Sequence, residues 1–398
     1  MHQNSVLVTG IGIHSAIAPH RESTWEALLQ GKSGIVFDQD LRMPIARSMA
    51  ICENALVNQK PLTRSQLMLE QVVLEAIADA GLETPLRGCG LAIGSSRGNQ
   101  RELELLLDHL KSPNSNLQAN SWRNLELWQQ LQPSSLSAHI AQLLQTQAPV
   151  FAPMAACATA NWAITQAAML IASGQCSMAI ATAVDAAITP LAIAGFAKLG
   201  VLAKSAVHPF SQERDGFALG EGAAALVLES SASAQSRHSQ VYGRVLGWGM
   251  TNDAYHETSP NPNNHLAAIA LKQCLERAAI APQSRGYINL HGTATPLNDA
   301  REMALVQAYL PDFLPNLDLS ATKGATGHTL GATGMMEAAF CLLSLRDRLV
   351  PPTVGMLTPD FAMPLVKNTQ RSPDLQYALN FSFGFGGQNA IVAFGQPQ

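Results

Sequence analysis

Two stretches of this chain, GFALGEGAAALVLE at 216–229 and SFGFGGQNAIVAFG at 382–395, share one design: a glycine-studded turn feeds an apolar strand. A sequence that writes the same ending twice implies two units of one architecture in tandem. The text between supports this. Before the first ending, strand-length apolar runs at Val6 to Thr9, Gly90 to Gly94, Val150 to Met154, Met178 to Val184 and Ala223 to Leu228 alternate with helical periodicity near 100–110, 134–146 and 158–173. After a polar stretch, SSASAQSRHSQ at 230–240, the alternation restarts, with strands at Val241 to Trp248 and Tyr287 to Leu290 and helices at 264–279, 299–310 and 330–346. The expected class is α/β with largely buried sheets, divided into an N-terminal half, 1–236, and a C-terminal half, 237–398. Two unrelated α/β units that merely terminate alike would give the same pattern. One helix start is explicit: Thr63 and Gln66 form a capping box ahead of Leu69, Val72, Val73, Ala76 and Ile77, and Gly81 is the stop.

Composition narrows the function classes. Charged residues are 14 % of the 398, against about 25 % in an average soluble domain. So thin a polar coat suits a large core or a subunit that hides surface in an oligomer. The net charge of −4 offers no global attraction to nucleic acid or to an anionic membrane surface. The window Met178 to Phe196 is apolar but alanine-rich and carries Asp185 and Pro190, so it reads as a buried segment and no membrane span is expected. The start, MHQNSVLVTGIGIHS, has no basic residue before its apolar run and does not read as a signal peptide, which places the chain in the cytoplasm. Six cysteines, at 52, 89, 157, 176, 274 and 341, show no CxxC pair and no metal spacing, so they are read as buried thiols unless the surroundings argue otherwise.

For Cys157 they do. The strand from Val150 runs into AACATANWAITQAAMLIASG, which sets the cysteine where a strand ends and an alanine-rich helix begins. Free N–H groups and the helix dipole favour a thiolate there, so a lowered thiol pKa is expected. His291 follows the strand YINL, with Thr293 and Thr295 on the same loop and Asp299 and Glu302 on the next helix. Each of these carboxylates is read as solvated, as a cap or as facing a basic partner. TKGATGHTLGATGMMEAAF places Lys323, His328 and Glu337 among glycines but lacks the GxxxxGK[ST] order of a phosphate loop. A buried charge network and a plain helix start with a surface lysine both fit. FSFGFGGQN, with Phe385 at its tip, could donate backbone N–H groups to an oxyanion. One thiol, two histidines, a lysine and a donor-rich turn form an acyl-transfer set.

With ACAT, HGTATPLND, KGATGHTLGATG, FSFGFGGQN, AITPLAIAGFAKLGVLA, FSQERDGFALGEGAAALVLE and DAYHETSP in that order, the chain resembles the elongating β-ketoacyl-acyl carrier protein synthases of the thiolase-fold family. The resemblance implies a duplicated five-layered αβαβα fold and a dimer, either of identical chains or with a related synthase or chain-length subunit. It implies Cys157 as the acylated nucleophile, His291 and His328 as the decarboxylating pair, Lys323 and Glu337 as their electrostatic support, and Phe385 in the oxyanion hole and at the acyl gate. Thr293 and Thr295 match the pantetheine-binding hydroxyls, and Phe196, Phe383 and Thr258 are further substrate-binding candidates. No metal or redox cofactor is implied, since the substrates ride on the phosphopantetheine of an acyl carrier protein, for which Arg64, Lys198 and Lys204 are the docking candidates. A biosynthetic thiolase would carry a second cysteine in the C-terminal glycine loop, and the initiating synthases pair their cysteine with histidine and asparagine. A silent chain-length partner would typically have lost the nucleophile. Segment 99–132, with Arg97 ahead of it and Trp122 and Trp128 inside it, matches the family poorly. The two tryptophans read as interface anchors or as core residues, and the poor match tilts the pathway from fatty acid toward polyene or polyketide synthesis.

Overall fold

The computed structural model describes residues 5–47, 56–57, 60–111, 125 and 128–397. Ten strands carry the architecture. Five belong to the first half: β1 (Val6–His14), β2 (Gly90–Gly94), β3 (Val150–Phe151), β4 (Met178–Ala186) and β5 (Leu219–Ser230). Five belong to the second: β6 (Gly243–Asn252), β7 (Gly286–Asn289), β8 (Leu317–Ser320), β9 (Tyr377–Gly384) and β10 (Gln388–Gly395). They lie in the order β3-β2-β4-β5-β1-β6-β10-β9-β7-β8. In the first half β2 runs parallel to β3 and β4, and β5 antiparallel to β4 and β1. In the second, β7 runs parallel to β8 and β9, and β10 antiparallel to β9 and β6. Each half therefore has the same strand order and the same directions, and β1 pairs with β6 at the seam, Val6 opposite Val245.

The repetition extends to irregularities. The β1–β5 ladder shifts register between Val8 and Gly10, and the β6–β10 ladder shifts at the corresponding place, between Val245 and Gly247. Glycines 10 and 12 lie under the backbone of α1 (Arg64–Asp79), and glycines 247 and 249 lie under the backbone of the helix His265–Ala278, so a Cβ at any of the four would strike helix backbone. These two helices form the outer layers. Between the sheets lie α4 (Thr159–Ala172) and α8 (Thr333–Asp347), with α2 (Gln100–Lys111), α3 (Ser135–Leu144), α5 (Pro190–Leu199), α6 (the His265–Ala278 helix) and α7 (Pro296–Tyr309) completing the set used here. Helix α4 packs on β2, β4 and β10, and α8 packs on β5 and β9, so each central helix touches strands of both halves. The result is the five-layered, duplicated α/β fold.

Every residue from Thr333 to Leu345 is buried, as a layer covered on both faces requires. Two asparagines join the central layer across the halves: Asn161 Nδ2 donates to the carbonyls of Asn380 (3.1 Å) and Ala390 (3.0 Å), and Asn380 Nδ2 donates to Asn161 Oδ1 (2.9 Å) and to the Gly334 carbonyl (2.6 Å).

The Thr63 capping box is present, with Gln66 N–H donating to Oγ1 of Thr63 at 3.1 Å and the Thr63 N–H to Oε1 of Gln66 at 2.9 Å. The strand expected over Val150 to Met154 is shorter and is not buried. Only Val150 and Phe151 pair, on the outermost strand, and they stay 39 % and 40 % exposed because no strand among the described residues pairs beyond that edge. Strand β8 was not expected, because Asp318 interrupts its short apolar run; in the fold that carboxylate pairs with Arg285. Trp128 is 56 % exposed and so is no core residue, while Trp122 and Cys52 lie outside the described residues. The other five cysteines are free thiols. No helix among the described residues is long and apolar enough to cross a membrane.

Candidate active site

Open α/β sheets build their sites at the carboxyl ends of parallel strands. Here four such ends converge. Past β2 comes the loop Ser95–Gly98, past β3 Cys157, past β7 the loop from His291 to Thr295, and past β8 the segment that carries Lys323 and His328. The glycine turn between β9 and β10 adds Phe385. A cavity of about 320 Å³ opens at this convergence, and Cys157, His291, His328, Thr293, Thr295, Thr258, Phe196, Phe383 and Phe385 all line it, whereas the β2 loop does not.

Cys157 stands on the turn into α4, one residue after Ala156, whose φ is +47°. The turn at Gly384 lies flush against it: a Cβ there would come 2.9 Å from the Ala155 carbonyl oxygen and 3.1 Å from the Cys157 nitrogen. The backbone N–H of Phe385 donates to the thiol. The thiol is not lowered as expected from the helix end. Burial among Phe196, Phe217, Leu219 and Leu330 pushes it up to about 12, with Asp185 acting in the same direction and Lys323, Arg97 and the Phe385 N–H opposing. Loss of water outweighs the helix dipole in so apolar a wall, so the resting sulfur is a neutral thiol.

The two imidazoles face each other at right angles, ring centroids 5.4 Å apart, and His291 also meets Phe383 at 6.0 Å. His328 is held by Thr333, 3.0 Å from Nδ1 to Oγ1, and by a bridge into the first half: its N–H donates to Ala218 O and its carbonyl accepts from Gly220 N–H. Burial, with the Lys323 charge adding to it, drives both histidines well below 6.5, so both rings are neutral at physiological pH. His291 Nδ1 is buried with no hydrogen-bond partner among the described residues. Behind the cavity, Lys323 Nζ donates to Glu337 Oε1 at 2.7 Å with both side chains buried, and burial lifts the Glu337 carboxyl to about 7 against the pull of the lysine.

Several residues took other roles than those expected from sequence. Asp299 and Glu302 face neither solvent nor a basic partner. Glu302 accepts from the N–H groups of His291 (2.5 Å) and Gly292 (2.9 Å), and Asp299 accepts from that of Phe210 (2.8 Å). Burial raises them to about 8 and about 6. Arg64 is not an open docking cation: its guanidinium binds Glu221 at 2.5 Å and 3.1 Å. Lys198 and Lys204 are exposed. Thr293 and Thr295 share a hydrogen bond of 2.9 Å at the cavity wall.

The beta-ketoacyl synthase N-terminal domain model matches residues 3–234, and the C-terminal domain model of that family matches residues 242–356. The chain belongs to the β-ketoacyl synthase family. It is 33% identical over 416 residues to the 3-oxoacyl-[acyl-carrier-protein] synthase 2 of Staphylococcus aureus (strain COL), covering 99% of each chain. It is 33% identical over 419 residues to the enzyme of that name from Vibrio harveyi, again covering 99% of each. Among solved structures, the ishigamide ketosynthase/chain length factor superposes with a TM-score of 0.88 at 27% identity over 100% of both chains. A type II polyketide synthase ketosynthase, solved with its acyl-carrier protein and bound to the hexaketide, gives 0.90 at 25% identity over 99% and 100% of the two chains. As a member of this family, the chain is an acyltransferase.

Two features of this β-ketoacyl synthase escaped the sequence reading. Asp185 accepts from Ser95 Oγ and Ser96 Oγ (both 2.7 Å), from the N–H groups of Ser96 and Arg97, and from Gly331 N–H (2.7 Å), which ties the β2 loop to the turn after His328. Arg301 lines the cavity, reaching Asn264 Oδ1 (2.8 Å), Asn389 Oδ1 (2.9 Å) and Asp253 Oδ2 (3.3 Å), with its guanidinium 4.9 Å over Phe383. Both hubs join residues far apart in the chain, so no local motif announces them.

Proposed function

We propose that the enzyme joins an acyl group held on Cys157 to the two-carbon unit of malonyl-acyl carrier protein and releases a 3-oxoacyl-carrier protein two carbons longer. The observation that carries this reading is that Cys157, His291 and His328 line one cavity while the Phe385 N–H reaches the thiol. In the first step the sulfur attacks the thioester carbonyl of an acyl-carrier protein. The S–C bond to the enzyme forms, the carrier thiolate leaves, and the thiol proton goes to that leaving sulfur. The N–H groups of Cys157 and Phe385 are the donors for the oxyanion. The carrier then departs and the acyl chain stays on the enzyme.

Malonyl-carrier protein follows, its pantetheine arm passing Thr293 and Thr295. Loss of CO₂ moves an electron pair onto the thioester enolate. Two neutral imidazoles suit that charge: they donate N–H bonds to the developing oxyanion without the cost of desolvating an imidazolium. The enolate carbon attacks the acyl carbonyl, the S–C bond breaks with its electron pair going to sulfur, and the Cys157 thiolate takes up a proton from solvent. Lys323 and Glu337 act from behind as a buried pair that keeps the histidines uncharged and in place.

The same reading takes 1–236 and 237–398 as the two structural units, an acyl carrier protein as the partner and the cytoplasm as the location. It also takes a dimer, of identical chains or with a chain-length subunit, formed on the face where Val150, Phe151 and Met154 stand exposed. Lys198 and Lys204 are the docking cations that remain. The alternative, a catalytically silent chain-length partner, is opposed by a complete cysteine and histidine set in one cavity. The test is mass spectrometry after cerulenin or iodoacetamide, run beside a condensation assay. A single adduct on Cys157 that abolishes condensation is the expected result; no selective adduct and no condensation would favour the silent partner.

A further inference from the structure

The loop past β2 is given no part in the chemistry above; its residues do not line the cavity, but Arg97 stands against Phe196, which does. The counterpart of that loop in the second half, past β7, carries His291. Here the same place carries Arg97, held by a loop that the Asp185 carboxylate fixes through the Arg97 N–H at 3.0 Å. The side chain is exposed, and among the described residues its guanidinium has no hydrogen-bond or ion-pair partner. Asp185 is engaged on backbone and hydroxyl donors, and Glu104 on the Gln100 amide (2.9 Å) and the Leu191 N–H (3.2 Å). What the guanidinium does touch is a ring. Its central carbon lies 5.2 Å from the centroid of Phe196, which lines the cavity, meets Phe217 at 5.6 Å and Phe385 at 6.4 Å, and packs in one cluster with Cys157.

An acyl chain on Cys157 grows within this aromatic set. A saturated chain lying against Phe196 returns only dispersion contact to the ring. A conjugated chain stacks on Phe196, whose ring the Arg97 cation already polarises. Resting on the condensing function above, we propose that Arg97 and Phe196 form a cation–π platform that selects acyl groups carrying a conjugated system, aryl or polyenoyl, over saturated groups of the same length. That Arg97 opposes the rise of the Cys157 thiol places its charge within electrostatic reach of the acyl site.

The test compares kcat/KM of full-length wild type, Arg97→Leu and Arg97→Lys on three acyl-carrier proteins of equal chain length: polyenoyl, saturated and ω-carboxylated. Wild type should favour the polyenoyl donor by about tenfold over the saturated one. R97L should bring that ratio near one while using the saturated donor as wild type does, a selective loss that misfolding cannot produce. R97K should keep most of the preference. Equal use of polyenoyl and saturated donors by wild type, a uniform loss on all donors in R97L, or preference for the ω-carboxylated chain would each overturn the proposal. Malonyl-carrier decarboxylation by wild type separates this from the parent reading. If it proceeds while the acyl ratio is flat, only the platform is refuted; if it is absent together with acyl transfer to Cys157, the condensing function itself fails and the platform with it.

Discussion

The two halves share strand order, strand direction and even the position of a register shift, yet they put opposite chemistry at equivalent places. Between β3 and its central helix the first half sets a thiol in a wall of phenylalanine and leucine. Between β8 and its central helix the second half sets Lys323 and His328, and it adds His291 with Glu302 beneath it. The apolar side suits a neutral nucleophile and an acyl chain; the polar side suits the build-up and removal of charge. A duplicated scaffold thus gives two differently solvated faces to one cavity, and the two partial reactions should be separable by side.

The sharpest break of that comparison is Cys157→Ala. It should lower condensation at least a thousandfold while malonyl decarboxylation, a property of the other face, survives; loss of both would show that the faces do not act separately. Conversely, His328→Ala or His291→Ala should cut decarboxylation by about a hundredfold and leave acyl transfer to Cys157 within a few fold, measured by intact mass. Breaking the buried pair with Lys323→Met or Glu337→Gln should cost about 3–5 kcal/mol of stability in denaturant melts, and the double variant should recover part of it.

Titration sharpens the contrast further. With the thiol at about 12, iodoacetamide labelling of Cys157 should climb steadily to pH 10, and a plateau near pH 7 would restore the helix-activated thiolate. With both imidazoles depressed, the histidines should add no break to the decarboxylation rate down to about pH 6, where a free histidine would already be titrating, and any break near pH 7 should vanish in Glu337→Gln. The smallest effect concerns Glu302. Its folded-state value of about 8 exceeds the ordinary 4.5, so the folded chain holds this proton in a window where the unfolded chain has lost it. Its contribution to stability is full below pH 4.5 and fades as pH rises to 8; Glu302→Gln should flatten the slope of Tm against pH in that window.

Much of the fold was legible where the physics is local. The capping box at Thr63 and Gln66, the glycine turns and the strand-to-helix junction at Cys157 depend on neighbours in the chain. The apolar run at 150–154 misled, because hydrophobicity says that a segment wants cover without saying that the cover lies in the same chain. Arg64 resembled an open cation because its partner, Glu221, is 157 residues away. The direction of the Cys157 shift was missed for a related reason: the helix end is written beside the cysteine, whereas Phe196, Phe217 and Leu330, which exclude the water, come from other parts of the chain. Of the residues the family motifs marked, Cys157, His291, His328, Thr293, Thr295 and Phe385 line one cavity, whereas Lys323 and Glu337 stand behind it.

The mutual clasp of Asn161 and Asn380 bears on how such a molecule can come apart. Asn161 donates to two carbonyls of the opposite unit in a dry layer, while Asn380 holds Asn161 Oδ1 and the Gly334 carbonyl of its own unit, so the second unit on its own would lose two buried donors to its carbonyls. With these bonds spanning the central layer, the chain should melt in a single cooperative step instead of shedding one lobe before the other.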